Sequence, residues 1–371
     1  MTKSMHMISY AALACLLAAC SPETNAPDTA APPSGAAEGS APATTSPEAG
    51  SEDRGTLRIY SARHYDSDKL MYEAFEDASG IRVLYREAGA NQLLETMKAE
   101  GENSPADLII ASDAGALWRF EDAGLTQSLP EGEFEGRIPP RLIEPDRQYV
   151  GLARRIRGVA YDPERIQPEQ VDQWQDLAHP SLKGEICVRS STNIYNLSLM
   201  GEMIEQWGAD EAEAWAKGVV ANMARSPQGG DTDQIEAVAA GLCSVAITNH
   251  YYWVRMHESG SDAVREAAGK TEIIFPTFGD DKGLHVNITG VALAANAGNK
   301  QAALDFIEFL LTPEGQARLV DETKEIPVVD SADRPTGLDL IPDFEDSETP
   351  LNTFGERQAE AQRIFDEAGW N

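Results

Sequence analysis

The segment LRIYSARHYDSD, residues 57–68, decides the fold, because it joins a strand-like run to a polar turn and the start of a helix. Aromatic and β-branched residues in its first half favour a strand, and Asp66 and Asp68 are the acids expected in a first helical turn. His64 and Tyr65 lie at the junction. Two further strand-like runs, EICVRS at 185–190 and SVAITN at 244–249, are likewise followed by tyrosines.

Working outward, strand-like and helical patterns alternate along the remaining chain. Strand-like runs begin near residues 57, 81, 107, 185, 244, 272 and 287. Helical patterns cover 66–79, 91–100, 114–123, 194–207, 210–223, 232–240, 261–268, 300–312 and 357–368. This alternation predicts an α/β fold with parallel sheets.

The tyrosines suggest a metal site. Tyr65, Tyr195 and the pair Tyr251 and Tyr252 each follow a strand-like run, with His64 beside the first. Ligands of open α/β sheets bind beyond the carboxyl ends of the strands. A phenol keeps its proton up to a pKa of about 10, but a bound cation favours the phenolate, a hard oxygen donor. Hard anionic donors suit a small trivalent ion, and imidazole also binds iron.

With these residues, the chain resembles the ferric-ion-binding receptors of bacterial ABC importers, in which a His-Tyr pair from one lobe meets a Tyr and a Tyr-Tyr pair from the other. The similarity runs from about residue 57 to residue 370 and includes KGEICVRSSTNIYN, HVNITGVALAANAGNK and RIFDEAGW. It implies a two-lobe periplasmic-binding-protein fold of type II, with hinge crossings near 154–160 and 287–293. The N-terminal lobe would comprise 55–155 and 290–371, and the C-terminal lobe 156–289.

The resemblance also implies a function. Fe(III), the transported ligand, would bind His64, Tyr65, Tyr195, Tyr251 and Tyr252, and a monomeric receptor would deliver it to a permease and an ATPase of the inner membrane. Four phenolates around Fe(III) leave a charge of −1, so a cation should lie nearby. Arginine occupies the first crossing segment in similar receptors, which makes Arg155 and Arg157 the first candidates. Arg63 and Arg189 flank the ligand loops.

The N-terminal residues predict export to the periplasm. A basic Lys3 precedes an apolar run, and Leu17-Ala18-Ala19-Cys20 is similar to a lipobox. We therefore expect a lipoprotein signal peptide at 1–19 and a lipidated Cys20; the alternative is an ordinary secretory signal cut nearby. Residues 20–54 are rich in Pro, Ala, Ser, Gly and Glu, a composition typical of a disordered linker.

The net charge excludes some classes of binding partner, and the cysteines predict a disulfide. A net charge of −31 argues against nucleic acid and against electrostatic attachment to anionic lipid. Cys187 and Cys243 each lie in a strand-like run, and in an oxidising compartment we expect them to form a disulfide; two buried free thiols are the alternative.

Two other functions stay open. The same fold could bind a polyamine or an oxyanion, with the aromatic residues stacking or donating hydrogen bonds. An enzyme such as a tyrosinate-iron oxygenase would need an open coordination position, which five protein donors leave little room for. HExxH, P-loop, GxSxG and GxGxxG motifs are absent from the sequence, which further disfavours an enzyme.

Overall fold

A computed structural model of the chain describes residues 55–279 and 282–371. The predicted signal peptide, lipobox and linker lie outside these described residues. The strands are β1 Thr56–Ser61, β2 Arg82–Glu87, β3 Leu108–Ala111, β4 Thr126–Gln127, β5 Tyr149–Tyr161, β6 Ile186–Cys187, β7 Val245–Asn249, β8 Glu272–Ile274, β9 Val286–Ala294 and β10 Ile326–Pro327. The helices are α1 Asp66–Ser79, α2 Ala90–Glu100, α3 Ala114–Asp122, α4 Ile194–Trp207, α5 Ala209–Asn222, α6 Asp231–Ala239, α7 His250–His257, α8 Asp262–Ala268, α9 Lys300–Leu310, α10 Pro313–Val320, α11 Thr353–Glu356 and α12 Gln358–Ala368.

The two-lobe α/β fold is confirmed. One apolar cluster packs around β1, β3 and β9 with α1 and α9, and a second packs around β6 and β7 with α4 and α5. The strands are ordered β2-β1-β3-β9-β5-β7-β6, so β9 and β5 join the two halves. Within the described residues, no helix is long and apolar enough to cross a membrane.

The sheet is mixed, although the sequence predicted parallel pairing. β1 runs parallel to β2 and β3, and β6 runs parallel to β7. β9 and β5, however, run antiparallel to each other and to their outer neighbours. They carry the chain in opposite directions between the lobes, which a strand-helix alternation does not reveal.

β5 is the main element that sequence reasoning missed as a strand. Its 13 residues are almost all buried, because neighbouring strands and helices cover both of its faces. A register shift between Gly151 and Ala153 marks a β-bulge against β9. On β9, a Cβ at Gly290 would lie 2.7 Å from Leu117 Cδ1, so only glycine permits α3 to pack this closely.

The C-terminal helix α12 packs on α4 and α5. Ala361, Ile364, Phe365 and Trp370 belong to the second apolar cluster, against α4 and α5. The Trp370 indole also donates a hydrogen bond to the carbonyl of Arg189 at 3.0 Å. An amphipathic helix at the end of a chain can cover either lobe, and its pattern alone does not indicate which one.

The predicted disulfide is confirmed. Cys187 and Cys243 are bonded, with Cα atoms 5.9 Å apart. The bond joins β6 to the turn that precedes β7, inside a small apolar cluster with Ala237, Val238 and Ala246. It therefore fixes two of the strands whose carboxyl ends carry the candidate tyrosines.

Candidate metal centre

The candidate tyrosines lie where helices begin. Tyr65 is the residue before α1, Tyr195 is in the first turn of α4, and Tyr251 and Tyr252 are in the first turn of α7. Asn193 caps α4 by accepting a hydrogen bond from the Tyr195 amide at 3.2 Å. Helix α7 was not predicted, because its eight residues are too short for a clear amphipathic pattern.

The structure brings all four tyrosines together. The Tyr251 hydroxyl donates a hydrogen bond to the Tyr195 hydroxyl at 3.3 Å, and the Tyr251 and Tyr252 ring centroids are 4.4 Å apart. The Arg255 guanidinium carbon lies 4.9 Å from the Tyr252 ring centroid and 5.8 Å from that of Tyr65. Because Tyr65 follows β1 and Tyr252 follows β7, phenols from both halves of the sheet meet around one guanidinium group.

His64 lies at the edge of this group. Its side chain is exposed, and its ring stacks on the Tyr65 ring with centroids 5.7 Å apart. It is therefore adjacent to the phenols on the solvent side, whereas Tyr251 is fully buried.

Arg155 lies beneath the tyrosines. Its guanidinium carbon is 5.5 Å from the Tyr195 ring centroid and 5.6 Å from that of Tyr251. It pairs with Glu325 at 2.5 Å and also donates hydrogen bonds to Thr289 and to the Ser112 carbonyl. A buried positive charge therefore contacts two of the candidate phenols.

Glu325 connects this arginine to the first lobe. Its carboxylate also pairs with Arg63 at 3.0 Å, and Arg63 pairs with Asp68 at 2.8 Å. Burial alone would raise the pKa of Glu325, but Arg155 and Arg63 bring that pKa below its usual value. The carboxylate is thus held ionised between two guanidinium groups.

A second buried ion cluster, on the same side of the site as Tyr195, lies around its ring. Asp231, in the first turn of α6, pairs with Arg157 at 2.7 Å and with Arg189 at 3.0 Å. The guanidinium carbons of these arginines lie 5.8 Å and 5.6 Å from the Tyr195 ring centroid. Three arginines therefore surround one phenol ring.

Burial controls the protonation of the phenols. It raises the pKa of Tyr65, Tyr195 and Tyr251 above the usual value, although Arg155 opposes the shift at Tyr195 and Tyr251. At Tyr65, the Glu325 carboxylate raises the pKa further, and Arg255 and Arg63 lower it. These three phenols are therefore neutral near pH 7, and a bound cation would have to displace their protons.

The arginines outnumber the acids that pair with them. Five guanidinium groups contact the rings of the candidate tyrosines: Arg63, Arg155, Arg157, Arg189 and Arg255. Among the described residues, three carboxylates pair with them, namely Asp68, Asp231 and Glu325, which leaves a surplus of two positive charges in this set.

Sequence reasoning missed Arg255 and Glu325. Arg255 is three and four residues beyond Tyr252 and Tyr251, a spacing that places it on their side of α7 once the helix is recognised. Glu325 is far from every motif in sequence and reaches the site only through the tertiary fold.

The chain is similar to known proteins over most of its length. The model of the family described as bacterial extracellular solute-binding protein matches residues 69–322. The iron uptake protein A2 of Synechocystis sp. is 37% identical over 316 residues, covering 85% of this chain and 90% of that protein. The major ferric iron-binding protein of Neisseria meningitidis serogroup B is 27% identical over 318 residues, covering 84% and 92%.

A solved structure is similar over the same region. The Trichodesmium protein described as IdiA or FutA, in complex with iron and citrate, superposes with a TM-score of 0.82 at 38% identity. The match covers 85% of this chain and 100% of that one.

Proposed function

Because this chain belongs to the bacterial extracellular solute-binding proteins, we propose that it captures ferric iron between its two lobes and delivers it to an ABC-type importer. One observation carries the proposal: phenols from both lobes lie around the Arg255 guanidinium, with Tyr65 on one side and Tyr251 and Tyr252 on the other. Hard anionic oxygens from two lobes suit a small trivalent ion.

The proposed iron ligands are Tyr65, Tyr195, Tyr251 and Tyr252 as phenolates, with His64 completing the set. Four phenolates around Fe(III) carry a charge of −1, which the surplus of two positive charges among the neighbouring groups more than offsets. The remaining positive charge is compatible with a small co-bound anion, and the Trichodesmium relative contains citrate beside its iron.

Iron would hold the lobes closed, because its ligands come from both of them. Protons compete with the metal for each phenolate, so acid should weaken binding.

We propose that the first lobe comprises residues 55–155 together with the chain from residue 290 to the start of α11. The second lobe comprises residues 156–289. Helix α12 then belongs to the second lobe, as its packing on α4 and α5 supports.

Location and partners follow from the family and the N-terminal sequence. The relatives include ferric-binding proteins, one of them called periplasmic. We propose that residues 1–19 are removed, that a lipidated Cys20 anchors a monomeric receptor, and that residues 20–54 tether it near the permease and ATPase.

Of the two alternative cargoes, a polyamine or an oxyanion, the polyamine fits this site poorly. Polyamines are cations, and the five guanidinium groups around the tyrosines would repel them. The protein is a binding component of a transport system, and we assign it no catalytic activity.

A titration of the metal-stripped protein with a ferric chelate tests the proposal. We expect one equivalent of iron to produce a visible phenolate-to-iron charge-transfer band. Tyr195→Phe and Tyr251→Phe should each weaken the band and lower the affinity measured by competition with citrate. Tyr85→Phe, which alters an exposed tyrosine on β2, is the matched control and should change neither. If the band and the affinity survive both site substitutions, the proposed ligand set is wrong.

A further inference from the structure

A second group of metal-ligating side chains lies at the C-terminal end of α3. Oxygen atoms of Glu121, Glu144 and Asp146 lie within 4.8 Å of one another. Glu121 is the penultimate residue of α3, and the two other acids belong to the turn that precedes β5. Glu144 is buried, Glu121 is half-buried and Asp146 is exposed, so the group opens to solvent on one side.

Backbone pairing explains why these side chains meet. The Glu144 amide donates a hydrogen bond to the Tyr149 carbonyl at 3.0 Å, next to the bridge between Ile143 and Val150. Residues opposite each other in an antiparallel pair project from the same face. Glu144 and Tyr149 therefore share one face of the sheet.

Helix α3 covers that same face. Tyr149 of β5 pairs with Ala292 of β9. Ala292 and Gly290 are two residues apart in β9, so their side-chain positions share a face of the sheet. A Cβ built at Gly290 would contact Leu117 of α3, which shows that α3 covers this face. Glu121 is four residues beyond Leu117 and so lies on the sheet-facing side of the helix. The Tyr149 side chain is thus directed under α3, toward the acids at its end.

Two buried oxygens in this group have no hydrogen-bond partner among the described residues. One is the Tyr149 hydroxyl, whose residue is 0% exposed, and the other is Glu121 Oε2. A buried polar group without a partner costs on the order of 1–3 kcal/mol, so such groups usually indicate a bound water or ion. Glu144 Oε2, by contrast, accepts hydrogen bonds from the Asp146 and Gln148 amides, which hold this carboxylate in place.

The local charge is negative. Burial raises the pKa of Glu121 to about 7, and the charges of Glu144, Asp146 and Glu356 add to the shift. The Tyr149 pKa is also raised by burial and by Glu144 and Glu121. The carboxyl end of α3 adds the partial negative charge of the helix dipole, which favours a cation.

We propose that Glu121, Glu144 and Asp146 bind a divalent cation of the calcium class, with the Tyr149 hydroxyl as a neutral oxygen beneath it. Carboxylates, hydroxyls and carbonyls are the ligands that Ca²⁺ takes in flexible geometry, whereas this group offers no sulfur or nitrogen to favour zinc. The ion would tie the end of α3 to the turn before β5, the strand that carries Arg155. This cation would bind at a site separate from that of the iron cargo.

Calorimetric titration of the metal-stripped full chain with CaCl₂ tests this site. We expect one Ca²⁺ to bind with a dissociation constant on the order of 10⁻⁴–10⁻³ M, the range of extracellular calcium modules. Glu121→Gln and Glu144→Gln should each weaken binding by at least about tenfold, since second-shell changes alone cost that much. Glutamine at 144 can still accept the two backbone hydrogen bonds, so that variant should fold.

Two controls separate a built site from general electrostatics. Asp122→Asn removes an exposed charge from the same turn of α3 and should leave most of the affinity. Tyr195→Phe should leave calcium binding unchanged, which excludes the iron site as the source of the signal.

Thermal unfolding gives an independent readout. Calcium should raise the melting temperature of the wild type but not that of Glu121→Gln, while the metal-free variant should melt higher than the metal-free wild type because repulsion is relieved. No stoichiometric calcium binding by the wild type would overturn the proposal. Equal losses in Asp122→Asn and Glu121→Gln would do the same.

Discussion

Replacing Glu325 by glutamine removes the negative charge that two buried arginines share. In the wild type, the carboxylate accepts hydrogen bonds from Arg63 at 3.0 Å, from Arg155 at 2.5 Å and from the Thr289 hydroxyl at 2.7 Å. Glutamine is similar in size but neutral, and its amide nitrogen would face a guanidinium group. Arg63 keeps Asp68, whereas Arg155 loses the carboxylate that pairs with it.

Removing one partner of a buried ion pair usually costs about 3–5 kcal/mol of the free energy of unfolding. We expect a loss in the lower part of this range at pH 7, because Asp68 and the Ser112 carbonyl still accept hydrogen bonds from the two arginines. The folded-state pKa of Glu325 is below its unfolded value, so the contribution is complete above the unfolded pKa and lost as pH falls through the folded pKa. The difference between variant and wild type should therefore shrink in acid.

Iron binding should respond in the opposite direction. The Glu325 carboxylate raises the pKa of Tyr65, so its removal makes the phenolate easier to form. At a separation on the order of 10 Å and an effective dielectric constant of about 20, one charge pair is worth about 1.7 kcal/mol. We therefore expect ferric affinity to rise, by up to about seventeenfold.

Urea unfolding of the metal-stripped proteins and citrate competition for iron measure these two effects. Glu348→Gln is the control, because it makes the same change on an exposed residue and should alter stability by no more than about 0.5 kcal/mol. Equal unfolding free energies for Glu325→Gln and the wild type at pH 7 would refute the reasoning about the shared charge. A weaker ferric affinity in a folded variant would refute the reasoning about Tyr65.

Three further results are expected. Arg255→Gln should weaken iron binding by about tenfold, because the Arg255 charge lowers the pKa of Tyr65 and its loss makes that phenolate harder to form; competition with citrate measures the effect, and unchanged affinity would contradict the role. His250 has a folded-state pKa lowered to about 4 by burial, so the metal-free protein should lose about 2–3 kcal/mol between pH 6.5 and pH 4, and His250→Gln should flatten that part of the stability curve. Replacing Cys187 and Cys243 together by serine should lower the unfolding free energy by about 4 kcal/mol in urea, and no change would show that the bond does not constrain the unfolded chain.

Local patterns predicted most elements of the fold. The helix at 66–79 is found with those bounds, because Asp66 and Asp68 lie in its first turn and Gly80 ends it in the left-handed conformation. β5 was missed because Arg154, Arg155 and Arg157 interrupt its apolar pattern. Those arginines are tolerated in a buried strand only because distant acids pair with them, and sequence order does not reveal such pairs.

Some residues of the candidate site could likewise be predicted from the sequence, and others could not. The tyrosines could be found in the sequence, since each follows a strand and a resemblance links them. Arg255 could have been found only by recognising that the short segment after Asn249 is helical. Glu325 and Asp231 bind arginines 170 and 74 residues away in sequence, and only the folded chain brings them together.

Anomalous diffraction at the iron edge from crystals of iron-loaded protein tests the central claim most directly. We expect one iron peak in the cleft, at bonding distance from the Tyr65 oxygen of the first lobe and from the oxygens of Tyr195, Tyr251 and Tyr252 of the second. A peak elsewhere, or one bonded to phenols of a single lobe, would contradict the account.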